Sequence, residues 1–592
     1  MNDDHSLDAS AVSAESTEAA GEASPSPGSG KPKPARINKP RPILRSRIFL
    51  YVTEFFSGMA VMAAELGASR LLAPYFSSSQ IVWTIIIGTI MIALALGAVV
   101  GGRWADRNPD PDRLYLCIMA AAVWIALIPL VGKYLIILIS GLLIVAVSTN
   151  FLVLAAFISC LIIFVPPLFL LGTITPGLVK SATDSLDDNA SVVGRLSACN
   201  TVGSILGTFL PTFVTIPAVG TFVTFLIFSG ILLLVALVYF LSSHAHRLAC
   251  LIATVAFVVS AALSPMTGFA FWEKGLTYEG ESIYNYLQVK TLADRTILST
   301  NVLFGVQSVT MKHPGMTGMY YDTALAAPLM ADQARSALIL GMGTGTYARQ
   351  LRRYYPRMAI QGVEIDRTIS DLATKYFDQP ADIPVSTYDG RAWLAASGQR
   401  FDLIMVDAYQ DITIPFQMSS TEFFTLVRNH LNPGGVMVVN MNMIDDGQGS
   451  INAALTNTIT RVFGSDAILT ADVPRTTNRE LFARRPVSDD FLGSEGDNQG
   501  KKAAMRDYPH SDLLAEAAVR VSPDPDLSRM MEQVSSNLST VEDAKGRILT
   551  DDNAPVELLG MHAIDRIISR EAGPYRRILQ QEGIQGLIRE VS

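Results

Sequence analysis

Three carboxylates stand at the downstream ends of short apolar runs: Glu364, Asp389 and Asp407. In an open sheet of alternating strands and helices, ligands collect beyond the carboxyl ends of the strands, so acids at three successive ends address one cleft. Its floor is the segment 336–366, SALILGMGTGTYARQLRRYYPRMAIQGVEID. An apolar run feeds Gly341, Gly343 and Gly345, which let the backbone turn tightly and approach a ligand where a side chain would block it. Glu364 follows the glycines by about twenty residues, where an acid in such a half-fold accepts hydrogen bonds from ribose hydroxyls. The third glycine of the dinucleotide pattern is replaced by Thr346. A nucleoside without a pyrophosphate, as in S-adenosylmethionine, therefore suits the turn better than NAD. An ordinary strand-to-helix turn would use the same glycines. Asp389 is placed to accept from an adenine amino group, with Gly390 leaving room for the ring, and a plain Asp-Gly turn accounts for the pair as well. Asp407 closes FDLIMVD, where a carboxylate faces the reacting centre or caps a helix.

Positioning these residues requires strands over 337–340, 359–364, 385–388, 403–407 and 436–440, each an apolar run, with helical segments between them. That alternation predicts a doubly wound, Rossmann-like α/β domain of the methyltransferase type over 336–486. Short alternating segments at 284–290, 295–299 and 307–312 predict a small antiparallel β module over 272–335. Ser419 with Glu422 reads as a capping box. The stretch 487–506 reads as a polar loop, and helices fill the rest of the extension 487–592.

The chain of 592 residues is divided in character: mean hydropathy is +0.31 with 49% hydrophobic residues, yet the charges concentrate in the second half. A multi-spanning α-helical membrane domain fused to the α/β part follows. The net charge of −8 and the lack of a basic stripe argue against a nucleic-acid partner. Cys117, Cys160, Cys199 and Cys250 lie in apolar stretches without CxxC spacing, and no metal site is read. Residues 1–45 form a polar tail ending in a basic run of Lys31, Lys33, Arg36, Lys39, Arg41, Arg45 and Arg47, read as disordered and membrane-proximal. Between 46 and 265, apolar runs at 48–72, 81–100, 114–131, 134–147, 151–171, 192–216, 222–241 and 248–263 predict about eight spans within a range of six to nine, given roughly 20 residues per crossing, with 134–147 the marginal run. The basic tail and the loop with Arg103, Arg107 and Arg113 belong on the cytoplasmic side, and an even count returns the soluble half there. The expected location is a multi-pass protein of the cell membrane, in contact with lipid, its catalytic domain cytoplasmic. Glu54 and Glu65 share a helical face, as a pathway would require, although Glu54 could reach the interface and Glu65 could pair with Arg70. Gly203 and Gly207 form a GxxxG suited to close helix packing.

Residues 278–440 resemble the spermidine synthase (polyamine aminopropyltransferase) family, and the fusion resembles its membrane-fused bacterial members. The resemblance rests on ESIYNYLQV (281–289), Gln307 with Ser308, YYDTALAAPL (320–329), GMGTG (341–345), VEID (363–366), YDG (388–390) and VDAY (406–409). It implies decarboxylated S-adenosylmethionine as cosubstrate and a small-molecule amine as acceptor, without a metal, in a homodimer. It makes Glu364 the ribose ligand, Asp389 and Gly390 the adenine ligands with Pro415 beside them, and Asp407 the proton acceptor. Asn285, Gln307, Tyr320, Tyr321, Thr344, Tyr409, Gln410 and Asp411 fall at positions that line the amine side.

Departures from the family pattern cluster on that side. Thr344 replaces an amine-anchoring acid, Tyr321 a histidine or glutamine, Asn285 a glutamine and Gln410 an acid, with Asp411 one place late. TDDNAPVE (550–557) resembles a tail motif of the fused proteins, so Asp551, Asp552 and Glu557 are the candidates to supply the missing anchors. The leading expectation is an aminopropyl transfer releasing methylthioadenosine. The alternatives are an S-adenosylmethionine-dependent methyltransferase, consistent with loss of an acid that would repel a cosubstrate carboxylate, and a transporter or sensor that binds a nucleoside without turnover.

Overall fold

The apolar runs of the first half close their backbone hydrogen bonds as helices: α1 (Arg47–Phe76), α2 (Gln80–Arg107), α3 (Pro111–Ala146), α4 (Phe151–Ile163), α5 (Val165–Gly172), α6 (Ile174–Ala182), α7 (Asn189–Leu210), α8 (Ile216–Ser243) and α9 (Arg247–Leu263). The structure is a computed structural model. It describes residue 43 and residues 46–591 apart from 78, 148–149, 184–188, 265–267, 274, 303–305, 409–413, 443–446, 448, 488–507, 509 and 543–544. The tail 1–42 and most of the loop expected at 487–506 lie outside the described residues. Among the described residues, four helices are long and apolar enough to cross a membrane, or five if α4 with α5 and α6, bent by 49°, is one span. The segment 190–243 counts there as a single helix of 54 residues. At 1.5 Å per residue it would be about 80 Å long, far beyond a bilayer, and it is interrupted at Gly220 (φ 80°). Two traverses therefore lie in that segment. With the 17 residues of α9, the chain passes along the bundle seven times.

The expected eight runs become seven because 114–131 and 134–147 lie on the single helix α3. Pro129 alone does not break it. α1 and α7 pack backbone to backbone at the GxxxG, where a Cβ on Gly203 would lie 2.0 Å from the Phe55 carbonyl oxygen and one on Gly207 2.1 Å from that of Met59. Glu54 is fully buried and accepts from Thr175 (2.6 Å) and Asn200 (2.9 Å), so it does not reach an interface. Arg70 donates to the Ser282 and Ile283 carbonyls rather than pairing with Glu65.

The β module has four antiparallel strands in order: β1 (Leu276–Glu281), β2 (Tyr286–Thr291), β3 (Arg295–Ser299) and β4 (Ser308–Met311). β1 was not expected, since its sequence LTYEGE carries no apolar alternation and its residues are only partly buried. The helices α10 (Tyr320–Ala324) and α11 (Ala327–Met330) lead into the main sheet. That sheet runs β12-β10-β11-β9-β8-β5-β6-β7. Its parallel strands are β5 (Ser336–Leu340), β6 (Ala359–Glu364), β7 (Val385–Thr387), β8 (Phe401–Val406) and β9 (Leu431–Asn442). Between them come α12 (Thr346–Tyr354), α13 (Arg367–Tyr376), α14 (Gly390–Ala396) and α15 (Thr421–His430). After α16 (Ile451–Phe463), the antiparallel strands β10 (Ile468–Asp472), β11 (Asn478–Arg484) and β12 (Leu538–Thr540) extend the β9 edge, interleaved with α17 (Leu514–Val521) and α18 (Pro525–Asn537). The helix α19 (Val556–Val591) closes the chain.

Alternate residues of β8 enter different cores. Leu403 and Met405 pack with the tyrosines of α10 and α12, whereas Ile404 and Val406 pack with Phe423, Phe424 and Val427 of α15. Each such fully buried aliphatic side chain contributes roughly 1.5–3 kcal/mol. The direction of winding reverses between β5 and β8, which opens the crevice where an α/β sheet receives ligands. α15 is capped by Ser420, whose hydroxyl accepts from the Phe423 N–H at 3.2 Å, one residue later than the expected Ser419. Glu422 instead accepts from the Asp551 N–H.

Candidate active site

The two strands at the crevice deliver its two principal features side by side. After β5 the chain turns through Gly341 (φ 87°), Gly343 (φ 53°) and Gly345 (φ 78°), a conformation that side-chain-bearing residues adopt at a cost. At Gly341 space forbids a side chain as well: a Cβ would stand 2.4 Å from the carbonyl oxygen of Asp407. The turn thus presses directly against the end of β8. The Gly343 N–H donates to Glu364 at 2.8 Å, and Glu364 also accepts from the Asp366 N–H at 3.0 Å. Burial pushes the Glu364 carboxyl upward, opposed by these backbone donors. A carboxylate held by two main-chain donors at the end of β6 keeps lone pairs for ribose hydroxyls. Asn285 and Ser282 of the β module both donate to Asp366, at 2.9 and 2.5 Å, and Asp366 caps α13. Asn285 therefore braces the Glu364 loop from behind.

Asp407 is half-buried beyond β8. One of its oxygens accepts from the Tyr320 hydroxyl at 2.5 Å and the other from the Asn440 amide at 3.0 Å. Burial pushes its carboxyl up to about 7, with the charge of Glu364 adding to the rise, while the Tyr320 and Asn440 hydrogen bonds oppose it. Such a group changes protonation near neutral pH, as a proton acceptor must. The Tyr320 ring lies against that of Tyr321, centroids 4.0 Å apart. Tyr321 donates to the Gln307 carbonyl (2.8 Å) and contacts the Ser308 hydroxyl (3.3 Å). Ser308 in turn accepts from the Thr344 N–H at 3.4 Å, so Gln307, Tyr321 and Thr344 form one connected wall. Thr344 is fully buried, its hydroxyl 3.3 Å from that of Thr346.

Asp389 is the N-cap of α14, one oxygen accepting from the Ala392 N–H at 2.7 Å. A Cβ on Gly390 would meet only ordinary contacts at 3.6 Å, so space at that position does not require glycine. Pro415 leads the short turn Phe416–Met418, whose Met418 borders Gly390. Asp551 does not join the acids around Asp407: it forms a two-point ion pair with Arg391 (2.7 and 2.6 Å) and accepts from Ser420. Asp552 is exposed. Tyr409, Gln410 and Asp411 lie outside the described residues. Among the described residues, no group of three or more His, Cys, Asp or Glu is arranged to hold a metal ion.

Two buried residues in line with Asp407 escape a reading of the sequence. Asn440 closes an apolar run just as Asp407 does, and that shared signal was available. Glu480 is harder to find, because it sits in the middle of β11, directly opposite Asn440. Its side chain is fully buried and neither carboxylate oxygen has a hydrogen-bond partner. Burial pushes it well above the carboxylate range, and the charge of Asp407 adds to the effect.

Comparison with known proteins gives the chain its family. The Spermine/spermidine synthase domain matches residues 319–479. A protein of Bifidobacterium longum named probable polyamine aminopropyl transferase is 66% identical over 357 residues, which are 60% of this chain and 78% of that protein. The polyamine aminopropyltransferase of Vibrio vulnificus is 30% identical over 188 residues, covering 30% of this chain and 62% of its own length. Among solved structures, the spermidine synthase of Thermotoga maritima covers 44% of this chain and 88% of its own at 15% identity and a TM-score of 0.32, a likeness too distant to carry an argument. The chain belongs to the spermidine synthase family of polyamine aminopropyltransferases.

Proposed function

We propose that the protein is a membrane-anchored enzyme that transfers the aminopropyl group of decarboxylated S-adenosylmethionine to an amine, releasing methylthioadenosine. The observation that carries this reading is Asp407, its carboxylate fixed by Tyr320 and Asn440 at the end of β8 and its backbone carbonyl packed against Gly341 of the glycine turn. Glu364 and the turn hold the nucleoside, with Asp389, Gly390 and Pro415 beside the base. A sulfonium is already activated for displacement. The acceptor nitrogen, however, is an ammonium with a pKa near that of lysine, ~10.4, and must lose a proton before it can attack. Asp407 takes that proton. The nitrogen forms a bond to the methylene beside sulfur, the carbon–sulfur bond breaks, and its electron pair stays on sulfur, leaving a neutral thioether. Alignment of the two reactants supplies the remainder of the acceleration.

The test is incubation of the purified full chain with a diamine and, separately, decarboxylated or intact S-adenosylmethionine. Methylthioadenosine formed only from the decarboxylated cosubstrate supports the reading. S-adenosylhomocysteine formed from the intact one would identify a methyltransferase instead. Binding of either without any product would leave a nucleoside sensor or transporter.

A further inference from the structure

Asp407, Asn440 and Glu480 form a row across three neighbouring strands, β8, β9 and β11. Val406 pairs with Val439, which puts Asn440 beside Asp407, and Asn440 pairs with Glu480. Residues side by side on adjacent strands share a face, so all three project toward the side of the sheet that carries Tyr320 and Tyr321. A carboxylate at 0% exposure with neither oxygen bonded has lost its hydration and received nothing in return, a state that proteins retain only with a counter-charge or a proton. We propose that Glu480 is the acceptor anchor of this enzyme: it binds a second cationic nitrogen of the amine while Asp407 receives the attacking one. Strands lie about 4.8 Å apart, so the backbones of Asp407 and Glu480 are roughly 10 Å apart along the row, and their side chains shorten the gap. That span fits an acceptor whose two nitrogens are separated by a few carbons. Asn440 fills the middle of the row, held by Asn478 at 2.8 Å, and fixes Asp407 without competing for cations.

This inference rests on the cleft being an amine site, and its experiment separates the two. Initial rates are measured with an α,ω-diamine and with the monoamine of equal chain length, using the wild type and Glu480→Gln, and cosubstrate affinity is measured by calorimetry. Loss of a charged hydrogen bond should raise KM for the diamine about 10- to 100-fold. It should leave KM for the monoamine and the cosubstrate affinity unchanged and erase the preference for the diamine. An unchanged diamine KM in Glu480→Gln, or an equal loss for both amines, overturns the assignment. Failure of the wild type to use either amine would sink the proposed function as well. Glu480→Asp serves as a second variant: the proposal expects partial retention of the diamine preference.

A separate observation concerns which side of a membrane the α/β half occupies, given that the bundle spans one. The ends of α1 and α2 near residues 70–80, the Asn150 turn and the α7–α8 junction all bond to the α/β half, through Ser282, Glu557, Asp565 and Glu281. The turns at that end, 77–79, 147–150 and 211–220, contain no Lys or Arg, and the basic residues of the helices nearest it are Arg70, bonded to the Ser282 carbonyl, and Lys133, bonded to the Gly268 carbonyl. The opposite end carries Arg47, Arg103, Arg107, Arg113, Lys180, Arg195 and Arg247, and it is tied together by Lys180 with Asp106 and by Tyr239 with Asp112. Seven passes of the described helices place Arg47, at the start of α1, and the α/β half at opposite ends. Because cytoplasmic loops hold the excess of Lys and Arg, we infer that the α/β half lies on the outer face and works there. Its cosubstrate then has to be present on that face.

The check uses the full chain with its four native cysteines replaced by serine, expressed in intact cells and treated with a membrane-impermeant maleimide. Gly398→Cys, on an exposed turn of the α/β half, should be labelled without lysis, and Asn108→Cys only after it. Labelling of Asn108→Cys in intact cells, or of neither variant, overturns the inference.

Discussion

The two walls of the crevice are built by different means. On the wall proposed to hold the nucleoside, the groups belong to the backbone or are set by it: positive-φ glycines, the Gly343 N–H, and Glu364 held by main-chain donors. On the wall proposed to receive the acceptor, the groups are side chains, Tyr320, Tyr321, Asp407, Asn440 and Glu480, contributed by α10, the end of β8, β9 and β11. The contrast teaches that a backbone-made site tolerates little substitution, whereas a side-chain-made site can be rewritten residue by residue. Among the described residues, departures from the family pattern include Tyr321 and Thr344, which are joined through Ser308.

The contrast can be broken or sharpened by substitutions on each wall. The largest effect is expected at Gly341→Ala, where a Cβ would collide with the end of β8. A shift of about 1 Å there should lower turnover by at least ~10²-fold, read from steady-state kinetics with any amine. Glu364→Gln should come next. Removing a charged acceptor from the ribose site weakens cosubstrate binding by roughly 10- to 100-fold in calorimetry, while amine affinity stays in place. If Glu364→Gln changed the amine KM instead, the division into two walls would fail.

Tyr320→Phe should have a smaller effect with a distinctive form. The Tyr320 hydrogen bond lowers the Asp407 pKa against the larger rise from burial, so its removal moves the rising limb of the rate–pH profile upward from about 7. The rate at pH 7 falls about threefold and recovers in alkaline buffer. Stability carries the matching sign. The folded pKa of Asp407 is raised, so its favourable contribution is complete below the unfolded carboxylate pKa of about 4 and is lost as pH rises through about 7. Asp407→Asn should therefore raise Tm relative to wild type at pH 8 more than at pH 4. Smallest of all should be Gly390→Ala, within about twofold in cosubstrate affinity, because its Cβ would meet only ordinary contacts. A large loss there would show that the ring of the ligand, not the protein, requires that glycine.

The same division governs how much was legible beforehand. Gly341, Gly343, Gly345 and Glu364 are spaced along one strand–turn–helix–strand unit, so local sequence encodes their geometry, and the strands β5, β6 and β8 announce themselves as apolar runs. The acceptor wall is assembled across 160 residues, from Tyr320 to Glu480, and its register is fixed only when β11 inserts antiparallel beside β9. β11 itself hides because Arg479 and Glu480 interrupt its apolar character. Asp551 misled for a related reason: an exposed acidic motif gives no sign that Arg391, far away in sequence, will claim it. In the helical half, composition marked the segments well. It could not say that 114–147 is one helix, since Gly132 and Lys133 look like a break but Lys133 is buried and bonds to the Gly268 carbonyl.

The central claim is that Asp407 accepts the proton of the attacking amine. The most direct measurement is the single-turnover rate of Asp407→Asn with saturating decarboxylated S-adenosylmethionine and diamine, set beside cosubstrate affinity from calorimetry. The account predicts a rate lower by about 10²- to 10⁴-fold with affinity within about twofold of wild type. A rate that survives the substitution, or an affinity that collapses with it, would contradict the role assigned to Asp407.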